Sequence, residues 1–464
     1  IYHNISIIMA ETIYHGKAIR RVSILGAGES GVGTAILCKK FGIEAFLSDH
    51  GTIAAKHVAE LEAAGTPYEQ GQHSVERILA ADIIVKSPGI PNDAPIIKDA
   101  AAKGIPVVSE IEFAYLFLPA GTRLVAITGS NGKTTTTMLT THLLRCCGHD
   151  AAACGNIGVS LARLVADEPH AVYVIELSSF QLDNMYTFHP DVAMLLNITP
   201  DHLDRYDHKM ENYIAAKLRV FQNLEPADLA VYWADDPVVA PRIGDLGIRA
   251  RLCTFADGHD ATVEARDGMI HDGIGGMDIP VAGIATRGTH NLLNSMAAIA
   301  ACAKLGAQAE AVAEGLRTFA PVEHRLEDVA TIDGVHYIND SKATNVNSTY
   351  YALIAMTTPT VLILGGKDKG NDYSEILPLV KEKVHDIVAM GLHNEKIVDY
   401  FTANGIPVAD THSLDDALAA CRAVARPGDT VLLSPCCASF DLFTSYEDRG
   451  RRFKTAVRAL APTR

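Results

Sequence analysis

A glycine-bearing loop, Gly129-Ser-Asn-Gly-Lys-Thr134, carries the residue types that bind phosphate. The apolar segment Leu124–Thr128 before it predicts a strand, and Thr135–Cys147 after it is compatible with a helix. Glycines let backbone N–H groups turn toward an anion, and a helix N-terminus adds a partial positive charge. Lys133 would reach the β- and γ-phosphates of a nucleotide, and the Thr134 hydroxyl would ligate Mg²⁺. The loop therefore predicts an ATP site.

The loop departs from the common phosphate-loop pattern, because Ile127 stands where that pattern has its first glycine. The alternative interpretation is an ordinary glycine turn beside a surface lysine. The strand before the loop and the four threonines Thr134–Thr137 after Lys133 favour the phosphate site.

Acidic and histidine residues follow the next two predicted strands. Glu176 lies at the end of the apolar segment Val172–Leu177, and His202 lies past a later strand between Asp201 and Asp204. A carboxylate at the carboxyl end of a strand beside a phosphate loop is well placed to hold Mg²⁺. Each residue alone is ambiguous, since a single Glu or His is more often structural. In series after a phosphate loop, they predict a metal and nucleotide site.

Lys217, in Ala215-Ala-Lys-Leu-Arg219, has the setting of an ordinary helix residue. From composition alone, we expect its ammonium group to be solvated, because lysine is rarely buried.

An earlier glycine loop, Gly26-Ala-Gly-Glu-Ser-Gly31, follows the predicted strand Arg21–Leu25, and Asp49 ends the next strand. Taken alone, this is a dinucleotide fingerprint and would favour an NAD-dependent oxidoreductase. The same geometry binds any diphosphate, however, and an oxidoreductase leaves Gly129–Thr134 unexplained.

The bulk properties restrict the classes of function. The chain has 464 residues with a formal net charge of -15, which argues against non-specific nucleic-acid binding. No apolar run is long enough to predict a transmembrane helix, and the apolar start Ile1–Ile8 is interpreted as a tag or extension. Nine cysteines without metal-binding spacing fit reduced thiols in a cytoplasm.

Strands and helices alternate almost throughout, which predicts an α/β fold with mainly parallel sheets. We place domain boundaries near Pro119-Ala-Gly121 and Ala320-Pro321, giving domains 1–119, 120–321 and 322–464. The Gly- and Asp-rich segment 258–280 predicts an antiparallel insertion, followed by a helix at Asn291–Leu305. The other predicted strands are Glu44–Ser48, Asp82–Lys86, Pro106–Val108, Asp191–Asn197, Val335–Asn339, Pro359–Leu364, Asp386–Met390 and Asp429–Ser434.

Taken together, the motifs resemble the Mur ligase family, and they follow the family's order along nearly the whole chain. They are Thr128–Thr134, Gly155–Gly158, Glu176–Leu182, Asn197–Tyr206, Lys217–Arg219, His290–Asn291, His324–Arg325, Asn339–Asn345 and Gly365–Gly366.

Within the family, the chain is most similar to the member that adds D-glutamate to UDP-N-acetylmuramoyl-L-alanine. The run Asn339–Asn345 and the C-terminal Ser434–Ser439 with Tyr446–Gly450 carry this similarity. The Asp-Asn-Pro-Arg signature of the diamino-acid-adding member is absent. The L-alanine-adding member and folylpolyglutamate synthase are the nearest alternative amide ligases. A regulator that has lost catalysis is disfavoured, because every expected catalytic position is filled.

The resemblance implies an N-terminal Rossmann-like domain for UDP, a central P-loop ATPase with a mainly parallel sheet and a C-terminal Rossmann-like domain. It also implies a cytoplasmic enzyme, expected to be monomeric, that uses ATP and two Mg²⁺ ions in peptidoglycan precursor synthesis. The substrate carboxylate would attack the γ-phosphate of ATP, and the amine of D-glutamate would then displace phosphate from the acyl phosphate.

The implied catalytic residues are Lys133, Glu176, His202 and Lys217. Thr134 and Glu176 would hold one Mg²⁺, and His202 and Lys217 the second. In the family the matching lysine is carbamylated, so the resemblance reverses the expectation of a solvated Lys217. The implied ATP contacts are Gly129, Ser130, Asn131, Gly132, Lys133, Thr134, Thr135, Asn291, Arg325 and Asp340.

The resemblance also assigns the two substrates of the ligation. The implied contacts of the UDP-linked substrate are Ser30, Asp49, Ser87, Pro88, Gly89 and Asn156. The implied D-glutamate pocket consists of Lys342, Thr344, Lys369, Ser439, Phe440 and Tyr446. His50-Gly51 stands where some family members have Thr-Arg near the uracil, so the uridine contacts stay open.

Overall fold

The computed structural model describes residues 12–286, 288–320 and 323–460, without the side chains of Asp204 and Asn347. The apolar start Ile1–Ile8 and the predicted boundary at Pro321 lie outside these residues. The chain divides into two compact units. The first runs to Gly283 and includes Leu293–Arg317, and the second joins Ile284–Leu292 to the chain from Thr318 onward.

The first unit begins with a short hairpin, β1 (Ile13–Tyr14) and β2 (Lys17–Ala18), and a five-stranded parallel sheet. The sheet order is β5-β4-β3-β6-β7. Its strands are β3 (Arg21–Leu25), β4 (Glu44–Asp49), β5 (Tyr68–Gln70), β6 (Ile83–Lys86) and β7 (Val107–Val108). The helices are α1 (Glu29–Lys40), α2 (Ala55–Ala64), α3 (Val75–Ile78), α4 (Pro95–Ala102) and α5 (Glu110–Tyr115).

A nine-stranded sheet completes the first unit, in the order β16-β15-β14-β13-β12-β11-β8-β10-β9. The strands are β8 (Arg123–Thr128), β9 (Ala151–Gly155), β10 (Val172–Glu176), β11 (Val192–Leu195), β12 (Leu229–Trp233), β13 (Arg251–Asp257), β14 (Val263–Arg266), β15 (Met269–Asp272) and β16 (Met277–Pro280). The helices are α6 (Lys133–Cys146), α7 (Leu161–Asp167), α8 (Ser179–Leu182), α9 (Met210–Leu218), α10 (Ala240–Ile243), α11 (Thr289–Lys304) and α12 (Ala309–Thr318). The first residues of α11 and the last residue of α12 fall in the second unit.

The order of this sheet determines where a ligand can bind. Strands β10, β8 and β11 are parallel neighbours, and the chain crosses from one side of β8 to the other between β10 and β11. Ligands of open α/β sheets bind outside the carboxyl ends of the strands at such a reversal. The loops after these three strands therefore meet at one edge.

The second unit has a six-stranded sheet in the order β17-β18-β22-β19-β20-β21, parallel except for the hairpin β17–β18. The strands are β17 (Glu327–Ile332), β18 (Val335–Asn339), β19 (Thr360–Gly365), β20 (Val384–Met390), β21 (Val408–Thr411) and β22 (Thr430–Cys436). The helices are α13 (Val346–Ala355), α14 (Leu377–Lys383), α15 (Glu395–Ala403), α16 (Leu414–Val424) and α17 (Tyr446–Ala459).

Every strand predicted from the sequence is present; Arg21–Leu25 and Val335–Asn339 have the predicted bounds, and the ends of the others shift by at most two residues. The predicted antiparallel insertion is formed by β14, β15 and β16, although β14 pairs with β13 in parallel. Strands such as β9 (Ala151–Gly155) and β12 were not predicted. The alanines of β9 have weak strand propensity, and its place at the sheet edge comes from pairing with β10.

The N-terminal and central sheets of the first unit are joined by a close helix contact. A Cβ on Gly33 of α1 would lie 2.1 Å from the Ser160 hydroxyl at the start of α7, so only glycine fits. Arg163 of α7 donates to Glu29 at 2.7 Å and forms an ion pair with Glu60. Glu110 of α5 accepts from the backbone N–H of Ala162 at 2.5 Å.

Two buried glutamates of α5 differ in how many hydrogen-bond donors surround their carboxyl groups. Glu112 accepts the Tyr14 hydroxyl at 3.1 Å, the Thr187 N–H and hydroxyl at 2.7 Å each, and the Phe188 N–H at 2.9 Å. Glu110 has one N–H donor, and its other carboxyl oxygen has no partner among the described residues. Burial, with a smaller contribution from Glu29, raises the pKa of Glu110 to about 8.

We predict that these two carboxyl groups respond oppositely to amide substitution. Glu112→Gln turns an acceptor into a donor facing N–H and O–H groups, and should lower the free energy of unfolding at pH 7 by about 2 kcal/mol.

Folded Glu110 holds its proton above the pH at which the unfolded chain releases it, so the free energy of unfolding falls as the pH rises from about 4.5 to about 8. Glu110→Gln should remove that part of the fall.

Urea unfolding followed by circular dichroism at pH 5.5 and pH 8 measures both effects. Glu76→Gln, on the exposed surface of α3, is the control and should change stability by less than about 0.5 kcal/mol. A Glu112→Gln variant as stable as the parent, or a Glu110→Gln variant with the parent's pH dependence, would contradict this assignment.

Candidate functional site

The phosphate loop follows β8 and leads into α6 at the carboxyl edge of the nine-stranded sheet. Gly129 and Gly132 have φ angles of +152° and +85°, which favour glycine. A Cβ on Gly132 would lie 2.5 Å from the side-chain oxygen of Asn294. The glycines predicted to turn the backbone toward an anion therefore adopt the conformations that this turn requires. Asn294, which the sequence analysis did not single out, lies directly against the loop.

The segment after β11 holds the loop in place. Asn197 accepts the N–H of Asn131 on its side chain and the N–H of Ser130 on its carbonyl, both at 2.9 Å. The Ser130 hydroxyl donates to the Thr199 carbonyl at 2.8 Å and lies 3.0 Å from the Tyr213 hydroxyl. Ser130 and Asn131 are thus supports of the loop shape. The supporting role of Asn197 depends on its contact with a loop 66 residues earlier in the chain, so its motif alone could not reveal it.

Two lysines donate to one carbonyl oxygen of the loop. The Nζ atoms of Lys133 and Lys217 lie 2.9 Å and 2.8 Å from the carbonyl oxygen of Gly129, and Lys133 also donates to the Ser130 carbonyl at 2.9 Å. The side chain of Lys217 is 2% exposed, so the expectation of a solvated lysine from composition was wrong. Lys217 lies on the face of helix α9 that packs against the phosphate loop.

The surroundings of Lys217 disfavour its charged form. Burial, and then the nearby charge of Lys133, hold the pKa of Lys217 well below its ordinary value, although Asp201 and Glu176 act in the opposite direction. A buried amine of lowered pKa is uncharged and nucleophilic over a wider pH range than a surface lysine.

Glu176 is the last residue of β10 and is 2% exposed, and its carboxylate lies beside the phosphate loop. Its Oε2 accepts the Thr134 hydroxyl at 2.7 Å, and its Oε1 accepts the Asn156 amide at 2.9 Å. The structure thereby brings together three residues that the sequence predicted as metal or substrate contacts. Adjacent carboxylate and hydroxyl oxygens are the hard ligands that Mg²⁺ prefers, so these residues fit that ion.

His202 lies on the segment that supports the loop. Its φ of +53° is left-handed, its Nε2 lies 3.6 Å from a carboxylate oxygen of Asp201, and its ring packs edge-on against Phe180 with centroids 5.3 Å apart. The side chain is 44% exposed, so it can reach a ligand. The hydroxyl of Thr135, an expected ATP contact, is buried and has no hydrogen-bond partner among the described residues.

The N-terminal glycine loop lies between β3 and helix α1. A Cβ on Gly31 would lie 1.9 Å from the Gly26 carbonyl oxygen, and one on Gly26 would lie 2.5 Å from the Ser87 hydroxyl. Asp49 accepts the N–H of Ala27 at 2.6 Å, so it holds the loop itself. Ser30 lies in the first turn of α1, whose N-terminus favours a diphosphate.

In the second unit, Asn291 and Arg325 line a cavity of about 440 Å³. The Nε of Arg325 is buried and has no hydrogen-bond partner among the described residues. Asp340 is 1% exposed and accepts the Ser434 hydroxyl at 2.8 Å. Burial raises the pKa of Asp340 to about 6, against the opposing charge of Arg325. A cavity with an unpaired guanidinium nitrogen suits an anionic or polar ligand.

Of the residues predicted to bind D-glutamate, Tyr446 begins α17, and the others lie in the loops after β18, β19 and β22, which are adjacent strands. The Lys342 ammonium lies 5.4 Å from the centroid of the Tyr446 ring. Ser439 is buried, Thr344 is half-buried, Lys369 is exposed and Phe440 is 69% exposed.

Arg449 was missed as a functional residue, although it stands inside the Tyr446–Gly450 motif. Its guanidinium is 1% exposed and donates to the Ser341 hydroxyl and carbonyl at 2.9 Å each, and to the Cys437 carbonyl at 3.2 Å. It therefore ties the loop after β18 to the loop after β22. Burial lowers the pKa of Arg449 to about 10, so it keeps its charge at neutral pH.

Three sequence models of one protein family match consecutive parts of the chain. They are described as Mur ligase MurD-like, N-terminal domain (residues 20–109), Mur ligase middle domain (residues 127–302) and Mur ligase, glutamate ligase domain (residues 324–437).

Curated relatives are similar over nearly the full length. The UDP-N-acetylmuramoylalanine–D-glutamate ligase of Bacteroides fragilis is 52% identical over 447 residues, covering 95% of this chain and 100% of the relative. The ligase of the same name from Cytophaga hutchinsonii is 50% identical over 453 residues, covering 95% of this chain and 99% of the relative.

A solved structure supports the fold. The UDP-N-acetylmuramate–alanine ligase of Thermotoga maritima aligns with a TM-score of 0.61 at 19% identity, covering 95% of this chain and 99% of that chain. The three-domain α/β fold class predicted from the sequence is confirmed. With half its residues identical to curated relatives and all three domain models matched in order, the chain belongs to the Mur ligase family.

Proposed function

We propose that this chain is an ATP-dependent ligase that forms an amide bond between UDP-N-acetylmuramoyl-L-alanine and D-glutamate, releasing ADP and phosphate, in peptidoglycan precursor synthesis. Its relatives at 52% identity carry the name of that ligase. The structural observation that carries the proposal is one hydrogen bond: the hydroxyl of Thr134, at the end of the phosphate loop, donates to the carboxylate of Glu176. Two predicted metal ligands therefore lie side by side at the carboxyl edge of the nine-stranded sheet.

Each domain has one task in this proposal. Residues 1–119 bind the UDP of the acceptor at the glycine loop, with Ser30, Asp49 and the segment Ser87–Gly89 as contacts. Residues 120–321 hold the triphosphate of ATP. Residues 322–464 bind D-glutamate and supply Arg325 and Asp340 to ATP, together with Asn291. The unpaired Nε of Arg325 supports its part.

The first chemical step activates a carboxylate. The alanyl carboxylate of the acceptor attacks the γ-phosphate of ATP, the bond to the β-phosphate oxygen breaks, and ADP leaves. Phosphoryl transfer needs positioning and charge neutralisation more than covalent help from the protein. Lys133 supplies a cation at the phosphates, and Asn156 orients the acyl substrate. Bound Mg²⁺ would neutralise the phosphate charge, held by Thr134 and Glu176 at one position and by His202 and Lys217 at a second.

As an ammonium group, Lys217 cannot hold a metal ion. An uncharged, buried amine can add to CO₂ through a new N–C bond while its nitrogen releases one proton to solvent, and the resulting carbamate anion presents two oxygens where an ammonium stood. The burial of Lys217 and the neighbouring charge of Lys133 both favour the uncharged amine that this reaction needs. We therefore include a carbamylated Lys217 in the proposal.

The second step forms the amide bond. The amine of D-glutamate attacks the carbonyl carbon of the acyl phosphate, and phosphate leaves with the electrons of the broken C–O bond. A dicarboxylate needs cationic and hydroxyl donors. Lys342, Lys369, Ser439 and Thr344 supply them, and Tyr446 and Phe440 complete the pocket.

Three further parts of the proposal concern the surroundings of the enzyme. None of the described helices is long and apolar enough to cross a membrane. All nine cysteines lie in the described residues and are free thiols, as in a reducing cytoplasm, where we place the reaction. The net charge of -15 disfavours nucleic-acid partners. We expect a monomer whose partners are its small-molecule substrates.

A coupled assay tests the proposed reaction. With ATP, Mg²⁺, UDP-N-acetylmuramoyl-L-alanine and D-glutamate, the protein should form a UDP-linked product with one ADP per amide bond. L-glutamate should give no product, and L-alanine with UDP-N-acetylmuramate should give none either. Product from L-glutamate but not D-glutamate, or from the L-alanine pair alone, would reject the assignment.

Lys217→Ala should lose most of the ligation activity, because the second metal position loses its carboxylate-like ligand. Added acetate or formate should restore part of the rate by filling the space with a carboxylate. Steady-state kinetics with and without millimolar acetate measure the effect.

Lys209→Ala is the matched control, since Lys209 is exposed at the start of the same helix. It should keep the parent rate and show no response to acetate. If Lys217→Ala kept full activity, or if its lost activity never responded to short carboxylates, the carbamate assignment would fail.

A further inference from the structure

Arg205 connects the loop Ser87–Ile90, which is proposed to bind the UDP-linked acceptor, with the segment of His202, which is proposed to hold a metal ion. Its guanidinium donates to the carbonyl oxygens of Gly89 at 3.1 Å and Pro88 at 3.3 Å. Those carbonyls belong to the loop after β6, against which the acceptor is expected to rest. Arg205 itself lies three residues after His202 on the segment that follows β11 in the central sheet. One side chain thus bridges the acceptor loop and the activation site.

The face of the same guanidinium is stacked on an aromatic ring. The central carbon of Arg205 lies 4.5 Å from the centroid of the Phe180 ring. The Phe180 ring also meets the edge-on ring of His202, with centroids 5.3 Å apart, and the stacked ring of Tyr206, with centroids 5.9 Å apart. A displacement of Arg205 would therefore displace the support of His202.

The acceptor loop is also held by a second cation. Lys86, at the end of β6, is 3% exposed and donates to the carbonyl oxygen of Ile90 at 2.7 Å. Asp183 offers a counter-charge to both cations and accepts the Tyr206 hydroxyl at 3.0 Å. The loop Ser87–Ile90 is thus held at Pro88 and Gly89 by Arg205, from the segment after β11, and at Ile90 by Lys86, from the end of β6.

We propose that Arg205 is a positioning residue that sets the distance between the acceptor loop and the His202 segment, and so places the substrate carboxylate for attack on ATP. The proposal rests on the proposed ligase function. The acceptor is bound through its UDP at one place and reacts at another, so a rigid bridge between the two places determines the reacting geometry. A misplacement of about 1 Å can cost roughly 100-fold in rate.

The bridge requires an arginine. A planar guanidinium donates in two directions within its plane while its face stacks on a ring, and an ammonium group cannot do both. Arg205→Lys keeps the charge and loses the geometry. It should lower kcat for ligation at least tenfold and leave the KM values for ATP and for the UDP-linked acceptor within about threefold, because neither binding site is removed.

Phe180→Leu tests the second half of the bridge, and it also guards against an Arg205 variant that folds poorly. It removes the stacking ring but keeps an apolar side chain, and it should lower kcat in the same way. If both residues act through one bridge, the double variant should be no slower than the slower single variant. Thermal unfolding of each variant checks that the fold is retained.

Arg242→Lys is the matched control on helix α10 of the same unit, where Arg242 pairs with Glu211 at 2.8 Å on the surface. It should keep the parent kcat. If the parent makes no product, the proposed function fails and the variants are not the reason. If the parent is active, then an unchanged kcat in Arg205→Lys, a rise in acceptor KM alone, or multiplied losses in the double variant would overturn the positioning role.

Discussion

One carbonyl oxygen, that of Gly129, receives hydrogen bonds from two lysines, Lys133 and Lys217. Burial and the neighbouring charge of Lys133 favour the uncharged form of Lys217. In the proposed function, Lys133 is the cation at the phosphates of ATP. The proposed site depends on this asymmetry, because one lysine neutralises phosphate while the other becomes able to carry a carbamate.

The fold maintains this arrangement through the meeting of three strand ends. The phosphate loop follows β8, Glu176 ends β10, and the supporting Asn197 follows β11, so the cluster exists only when all three strands are in register. The N-terminal sheet is fixed to the same edge by the close contact of Gly33 with α7 and by the bridge from Arg205. Rigid attachment suits a reaction whose substrate is bound in one domain and activated in another.

The sequence predicted the strands, the phosphate loop and Glu176 because their signals are local: apolar runs, glycines with special conformations and a carboxylate at a strand end. The composition of the segment could not predict the burial of Lys217, because that burial results from the packing of α9 against a loop 88 residues earlier in the chain. Arg449 and Arg205 were missed for the same reason. Their partners are mainly backbone carbonyls of distant loops, and a carbonyl has no residue type to recognise.

In the proposed mechanism, Lys217 carries a carbamate in the working enzyme. Carbon-13 NMR of the protein equilibrated with ¹³C-bicarbonate tests it most directly, with Lys217→Arg as the reference. We expect one carbamate resonance in the parent that is absent from Lys217→Arg and that is lost together with activity when CO₂ is removed. A fully active parent enzyme with no such resonance would show that Lys217 works without a carbamate.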